Sequence, residues 1–187
     1  TTAYTVRIFG FNGCFKDTTL ILQPINCFNN IFGLTKAAST PSLINNKYEV
    51  TFTITAVNAS FADLTNVTLN ENLSTAFPMP TTYTIISSPV VTSQGSSLTI
   101  NPAFDGSTQI SLISPSTSTL LSAKRDTIVF TVRIDPKGFF GPYFNSVIGF
   151  ANDVNSLVVS DSSNDGFGWD PDADGFPTNN NIPTVIN

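Results

Sequence analysis

The clearest pattern in the chain is an alternation of apolar and polar residues with a period of two. Residues 48–56 read YEVTFTITA and residues 127–134 read TIVFTVRI, so apolar side chains fall at every second position. This period places one face of a β-strand against a core and the other in water. No window has the 3.6-residue period of an amphipathic helix, so the pattern predicts an all-β protein.

Shorter strand candidates occur along the rest of the chain, separated by turn residues drawn from twelve prolines and eleven glycines. They lie at residues 31–36, 67–70, 83–86, 98–100, 109–113, 143–150 and 156–159. Many short strands with turn signals between them are typical of a sandwich of two sheets. We therefore predict an Ig-like β-sandwich with an acidic C-terminal loop over residues 28–187, and a separate N-terminal unit over residues 1–27.

The N-terminal unit has the pattern of a β-hairpin. Residues 4–8 and 18–22 alternate on either side of an Asn-Gly pair, which is a strong hairpin signal. A lone hairpin is marginally stable in water, so this one needs a partner sheet. Its apolar strand positions are the predicted assembly residues, namely Tyr4, Val6, Ile8, Leu20 and Leu22.

The C-terminal run at residues 182–186 resembles a strand that stops short. Two incomplete ends predict head-to-tail assembly through β-strand contacts, with other copies of the chain or with neighbouring repeats as partners. Such a contact does not close on itself, so it builds a filament.

Composition excludes several classes of function. The chain has no histidine, only 11% charged residues and no long apolar run, whereas soluble domains carry roughly 25% charge. Without histidine, Ser-His-Asp and Cys-His catalysis are excluded, and no phosphate-binding glycine loop is present, so we expect no enzyme. We expect no membrane insertion either. The abrupt start within a strand and the lack of a signal peptide suggest a segment of a longer, secreted protein.

The acidic residues gather near the C-terminus. Residues 138–187 contain six aspartates and no lysine or arginine, which opposes nucleic-acid binding. Within them, Asp170-x-Asp172-x-Asp174-Gly175 places oxygen ligands at alternate positions before a turn, as Ca²⁺ sites do. The candidate ligands are Asp161, Asp165, Asp170, Asp172 and Asp174. An EF-hand is incomplete here, since its final glutamate and flanking helices are missing; the alternative is a solvated acidic turn.

Cys14 and Cys27 are the only cysteines. Two cysteines without histidine make a poor zinc site, and no C-x-x-C motif is present. An extracellular setting favours a structural disulfide between them, and two free buried thiols are the alternative.

Two aromatic groups have alternative interpretations. The first group flanks the acidic loop and consists of Phe167, Trp169 and Phe176. These side chains either plug the end of the sandwich or stack on a sugar. The second group surrounds a Gly-Pro pair and consists of Phe139, Phe140, Tyr143 and Phe144. These side chains either pack into the core or form an exposed docking patch.

Several stretches resemble the Ig-like repeat modules of giant bacterial surface proteins known as domain of unknown function eleven. They are IFGLTKAAST, NKYEVTFTITAVNASFADLTNVTLNENL, DTIVFTVRIDP and the closing VSDSSNDGFGWDPDADGFPTNNNIPTV. Residues 3–27 resemble the closing segment of repeats in adhesins of gliding bacteria, which leave the cell by type IX secretion. Phe167 and Trp169 depart from the small or polar residues expected in that closing loop.

Both resemblances imply a repeat-built extracellular adhesin or filament without catalytic residues. We therefore expect a structural subunit at the cell surface. The alternative is a Ca²⁺-stabilised adhesion module that binds a surface glycan or protein through its loops.

Overall fold

The computed structural model describes residues 2–9, 14–22, 31–93 and 97–187, and within them the regular structure is almost entirely β-strand. The first nine strands are β1 (Thr2–Phe9), β2 (Phe15–Leu22), β3 (Phe32–Ala38), β4 (Ser42–Ile44), β5 (Lys47–Asn58), β6 (Leu64–Glu71), β7 (Thr82–Val91), β8 (Thr119–Leu120) and β9 (Arg125–Asp135). The remaining strands are β10 (Tyr143–Asn145), β11 (Val147–Asn152), β12 (Val158–Ser162), β13 (Asn164–Asp165) and β14 (Thr184–Ile186).

Helical structure in the described residues is limited to short turns. They are α1 (Leu73–Ala76) and two 3-10 turns at Pro115–Thr117 and Pro177–Asn179. None of these helices has the length or apolar character needed to cross a bilayer.

Two sheets pack face to face in the order of an immunoglobulin domain. One sheet has the order β13-β3-β5-β9-β7, with β4 added to β5, and the other has the order β12-β11-β6-β8. In immunoglobulin terms, β3-β5-β9-β7 corresponds to the ABED sheet and β6-β11-β12 to the CFG sheet. This topology confirms the predicted Ig-like β-sandwich.

The core lies between the inward faces of the two sheets. Phe52 of β5 and Phe130 of β9 are fully buried neighbours, with ring centroids 5.4 Å apart, and Phe104 meets Phe130 edge-on at 5.9 Å. The buried positions in β5 and β9 alternate along each strand. The period of two in the sequence therefore identified the inward faces of both strands.

A tight turn joins β4 to β5. The two turn residues, Asn45 and Asn46, have φ angles of 52° and 60°, and the flanking residues Ile44 and Lys47 pair with each other. Positive φ at both central positions defines the type I′ hairpin turn, which asparagine tolerates better than most residues.

Two predicted strands do not form as such. Residues 98–100 and 109–113 make only isolated bridges, including Ile100 with Ile113 and Asn70 with Ser111. The prolines at 102 and 115 interrupt backbone pairing close to both segments, because proline has no N–H to donate.

The C-terminal strand is not incomplete, contrary to the prediction for residues 182–186. Its residues Thr184–Ile186 form β14, which pairs antiparallel with β10 of the same chain. Thr184 and Ile186 are buried, so β14 pairs and packs within its own domain.

The N-terminal hairpin forms as predicted and makes a two-stranded sheet of its own. Its register pairs Val6 with Thr18 and Phe9 with Phe15. The boundary predicted between residues 27 and 28 lies outside the described residues.

Candidate functional site

Three aspartates of the C-terminal loop converge as the sequence predicted. Each of Asp170, Asp172 and Asp174 offers a carboxylate oxygen, and these oxygens lie within 4.8 Å of one another. The backbone turns twice to achieve this, with φ of 57° at Ala173 and 84° at Gly175. Glycine adopts this left-handed conformation without steric cost, so the Asp-Gly sequence favours the convergence.

Hydrogen bonds hold the loop closed around these carboxylates. The Asp170 Oδ2 atom accepts the Gly175 N–H at 3.0 Å, and Asp174 Oδ1 accepts the Phe176 N–H at 2.7 Å. The Asn180 side chain donates to Asp172 Oδ1 at 3.1 Å, and that hydrogen bond is the main cause that lowers the pKa of Asp172. The lowered pKa favours the ionised form of Asp172, and a hard cation prefers ionised oxygen ligands.

Asp161 and Asp165 lie apart from this group. Asp165 is exposed in β13, and Asp161 is buried in β12, where its Oδ2 accepts the Leu34 N–H at 2.6 Å. Burial raises the pKa of Asp161 to about 6. Asp161 thus joins β12 to the first strand of the sandwich, and the structure brings together three of the five predicted ligands.

Trp169 packs on the outer face of β3 and does not plug the end of the sandwich, since Gly33 alternates with the inward-facing Phe32 and Leu34. Its ring lies on Gly33 of β3 so closely that a Cβ added there would sit 2.7 Å from a ring carbon. Phe167 and Phe176 instead remain exposed, at 75% and 63% of their surface. The aromatic group at the acidic loop therefore divides between packing and exposure.

The described side chains of the hairpin are all exposed. Val6 and Ile8 expose 42% and 57% of their surface on one face. Phe9 and Phe15 expose 69% and 56% on the other. The backbone register also places positions 4, 20 and 22 in phase with Val6 and Ile8, so the five predicted assembly positions share one face of the ladder.

A second exposed apolar area lies on the outer face of the four-stranded sheet. Phe144, Ile148 and Phe150 expose 57%, 48% and 39% of their surface. They line a groove of about 430 Å³, and none of its lining residues in the described structure is charged. We call this area the outer-face groove.

The aromatic residues around Gly141 and Pro142 divide in the same way as those of the acidic loop. Tyr143 packs in the core, 5.2 Å from Phe77 by ring centroids, whereas Phe140 is 66% exposed. Phe140 and Ile186 line another apolar groove, of about 320 Å³, at the C-terminal end of the domain.

The structure also contains a buried ion pair that the sequence analysis does not predict. The Lys36 ammonium of β3 contacts the Glu71 carboxylate of β6, and both side chains are fully buried. The signal was in the alternation: Lys36 is in phase with the apolar positions Phe32 and Leu34, which places it on the inward face.

The disulfide prediction stays a prediction, because Cys27 lies outside the described residues. Cys14 is exposed just before β2.

Neither a protein family nor a curated protein matches this sequence. Among solved structures, the chain is similar to BcpA, the major pilin subunit of Bacillus cereus, with 9% identity and a TM-score of 0.53 over 98% of this chain and 47% of that chain. It is also similar to a FixG-related protein from Vibrio parahaemolyticus, with 9% identity and a TM-score of 0.31 over 71% of this chain and 92% of that chain.

At 9% identity the pilin similarity shows a shared fold, and the chain spans about half the length of that pilin. The TM-score of 0.31 supports no further comparison. The β-sandwich is therefore confirmed, and the more specific resemblance to domain of unknown function eleven stays a prediction.

Proposed function

We propose that this chain is a structural repeat or subunit of an extracellular bacterial filament or adhesin. The observation that carries this proposal is the N-terminal hairpin, which forms its own sheet and exposes Val6 and Ile8 on one face. Exposed apolar strands invite pairing or packing with another chain. The pilin-like fold supports a role of the same structural kind and surface location.

The partner of the hairpin is the outer-face groove of a second copy or of a neighbouring repeat. The groove offers Phe144, Ile148 and Phe150 with no charged residue among those that line it. The hairpin offers the exposed apolar side chains of Val6 and Ile8, with their register partners Thr18 and Lys16 on the same face. Because the two surfaces lie on different parts of the chain, the contact is heterologous, and it propagates into a filament when the rotation between copies does not close into a ring.

Electron microscopy of the purified chain over a range of concentrations tests this assembly. We expect filaments or linear oligomers, and we expect Ile148→Lys to abolish them because it places a charge in the apolar groove. Phe140→Lys, in the separate groove near the C-terminus, is the matched control and should assemble normally. Dispersed monomers at every concentration would contradict the proposal, and assembly lost only with Phe140→Lys would contradict the choice of groove.

The acidic loop is proposed to bind Ca²⁺ through Asp170, Asp172 and Asp174. Three carboxylates supply at least three of the six to eight oxygens that Ca²⁺ takes, and backbone carbonyls or waters supply the others. Three converging negative charges repel one another when no cation is present. The bound ion would therefore stiffen the loop that follows Trp169, the residue that packs on β3.

Calcium is expected to raise the melting temperature, because an ion that binds only the folded state stabilises it by mass action. At a free concentration one hundred times the dissociation constant, the gain is about 2.7 kcal/mol. Asp172→Asn should remove most of this response in differential scanning calorimetry, whereas Asp165→Asn should keep it. Melting of the unmodified chain that is indifferent to both Ca²⁺ and chelator would exclude the site.

A glycan- or protein-binding adhesion module is the second candidate. It is favoured by the exposure of Phe167 and Phe176 beside the acidic loop, because exposed aromatic rings stack on sugars and pack against protein partners. Ligand binding that requires these two rings and persists after the hairpin is removed would favour this candidate over the filament.

A further inference from the structure

Three polar residues lie at inward-facing strand positions, where the alternating pattern predicts apolar side chains. They are Lys36 in β3, Glu71 at the end of β6 and Asn145 at the end of β10, and their exposed fractions are 0%, 0% and 3%. Lysine and glutamate are almost never fully buried unless they are paired. Their placement in one core therefore needs a chemical reason.

The strand pairing brings the three residues to one end of the sandwich. Val147 is the register partner of Glu71, and Asn145 lies two residues before Val147 on the same inward phase. Thr184 is the register partner of Asn145, and its hydroxyl donates to the Lys36 carbonyl at 2.7 Å. Asn145 is therefore connected to both other residues: to Glu71 through the pairing of Val147 with Glu71, and to Lys36 through its own register partner Thr184.

Hydrogen bonding at this site is incomplete. Lys36 Nζ contacts Glu71 Oε2, but within the described structure Glu71 Oε1 and Asn145 Nδ2 are buried without a hydrogen-bond partner. Leaving such atoms unpaired is unfavourable, because they lose the hydrogen bonds that water gives them in the unfolded chain. Buried polar atoms without a partner need an explanation, and a reaction between the groups is one such explanation.

The surroundings of Lys36 favour a reactive amine. The Phe52 ring lies 4.5 Å from Nζ, and burial lowers the pKa of Lys36. Proton transfer from the ammonium to Glu71 gives a neutral amine, which is the nucleophilic form of lysine. The resulting carboxylic acid stays in contact with the amine and can return a proton to a leaving group.

We propose that Lys36 and Asn145 join in an intramolecular amide bond, with Glu71 as the proton carrier. Nζ attacks Asn145 Cγ, the Cγ–Nδ2 bond breaks, and Nδ2 leaves as ammonia. One proton of the amine passes through Glu71 to the departing Nδ2, so Glu71 ends the reaction as it began it. A primary amine and a primary amide become one secondary amide plus ammonia, and no oxidant, cofactor or energy source is required.

The bond would join β3, the first strand of the sandwich, to β10, which comes much later in the sequence. It would resist the separation of the two sheets under pulling force. The bond forms within one chain, so it is independent of the proposed assembly.

Intact-mass measurement of the denatured, reduced full chain tests the proposal. We expect a mass lower than that of the sequence by one ammonia molecule. Because the joined Lys36 is no longer a trypsin site, digestion should yield a branched peptide that links residues 17–47 to residues 138–187. A chain at full sequence mass, with separate peptides ending and beginning at Lys36, would overturn the proposal.

Substitutions identify the side chains that take part in the bond. Asn145→Ala and Glu71→Gln should each restore the full sequence mass. Asn164→Ala is the matched control, since Asn164 is also buried but its Nδ2 donates to the Gly168 carbonyl at 3.1 Å, and this variant should stay joined. A link that maps to Asn164, or an ammonia loss that maps to Asn12-Gly13 as a succinimide, would refute the assignment. The branched peptide of the unmodified chain decides the question even if a variant fails to fold.

Discussion

Replacing Glu71 by alanine is expected to lower the free energy of unfolding by about 3–5 kcal/mol, which is the usual cost of leaving one partner of a buried ion pair alone. Lys36 has no exposed surface, so water cannot solvate its ammonium when the carboxylate is absent. The loss of the proposed amide bond adds to this cost. Denaturant unfolding followed by fluorescence measures the change.

The matched control is Glu49→Ala. Glu49 pairs with Arg133 at 2.5 Å, but the arginine side chain is 42% exposed. A pair of this kind contributes about 1 kcal/mol or less. Equal effects of Glu49→Ala and Glu71→Ala would contradict the importance assigned to the buried pair.

A double variant separates the ion pair from the amide bond. Lys36→Met with Glu71→Leu replaces the charges by apolar side chains of similar length, which in other proteins is often neutral or stabilising. It should recover the cost of the unpaired ammonium. Any stability still missing from the double variant then measures the cross-link between Lys36 and Asn145.

The sequence was sufficient to predict the sheet faces and the convergence of the acidic loop. Alternation identified the buried positions of β5 and β9 because each strand has one face in the core and one in solvent. The Asp-x-Asp-x-Asp-Gly run identified its own turn, because the ligands are close in sequence and Gly175 permits the required backbone angle. Both features are local, and local patterns can be read from one sequence.

Features that depend on distant pairing could not be predicted in this way. Proximity in sequence groups Asp161 with the loop, yet its carboxylate accepts a hydrogen bond from Leu34 of β3. The C-terminal strand was considered incomplete because its partner, β10, lies about forty residues earlier in the chain. Lys36, Glu71 and Asn145 lie on three separate strands, and only the register of those strands brings them together.

Removing residues 1–27 is expected to abolish assembly while leaving the sandwich folded. Every described core residue lies at or after Phe32, so the deletion removes none of the described core. It removes the exposed hairpin, whose Val6 and Ile8 are proposed to occupy the outer-face groove of the next copy. Val6→Lys with Ile8→Lys should have the same effect with the full chain length preserved.

Circular dichroism and a cooperative unfolding transition would show that the shortened chain still folds. Loss of that transition would contradict the independence of the sandwich from the hairpin. If both the unfolding transition and the assembly are unchanged, the hairpin is not part of the interface.

Sedimentation velocity of the full chain over a dilution series tests the central claim most directly. The account predicts a distribution that shifts to larger species as concentration rises, and a single monomeric species at all concentrations for the chain without residues 1–27. A full-length chain that sediments as one monomer throughout the series would contradict self-association through the hairpin.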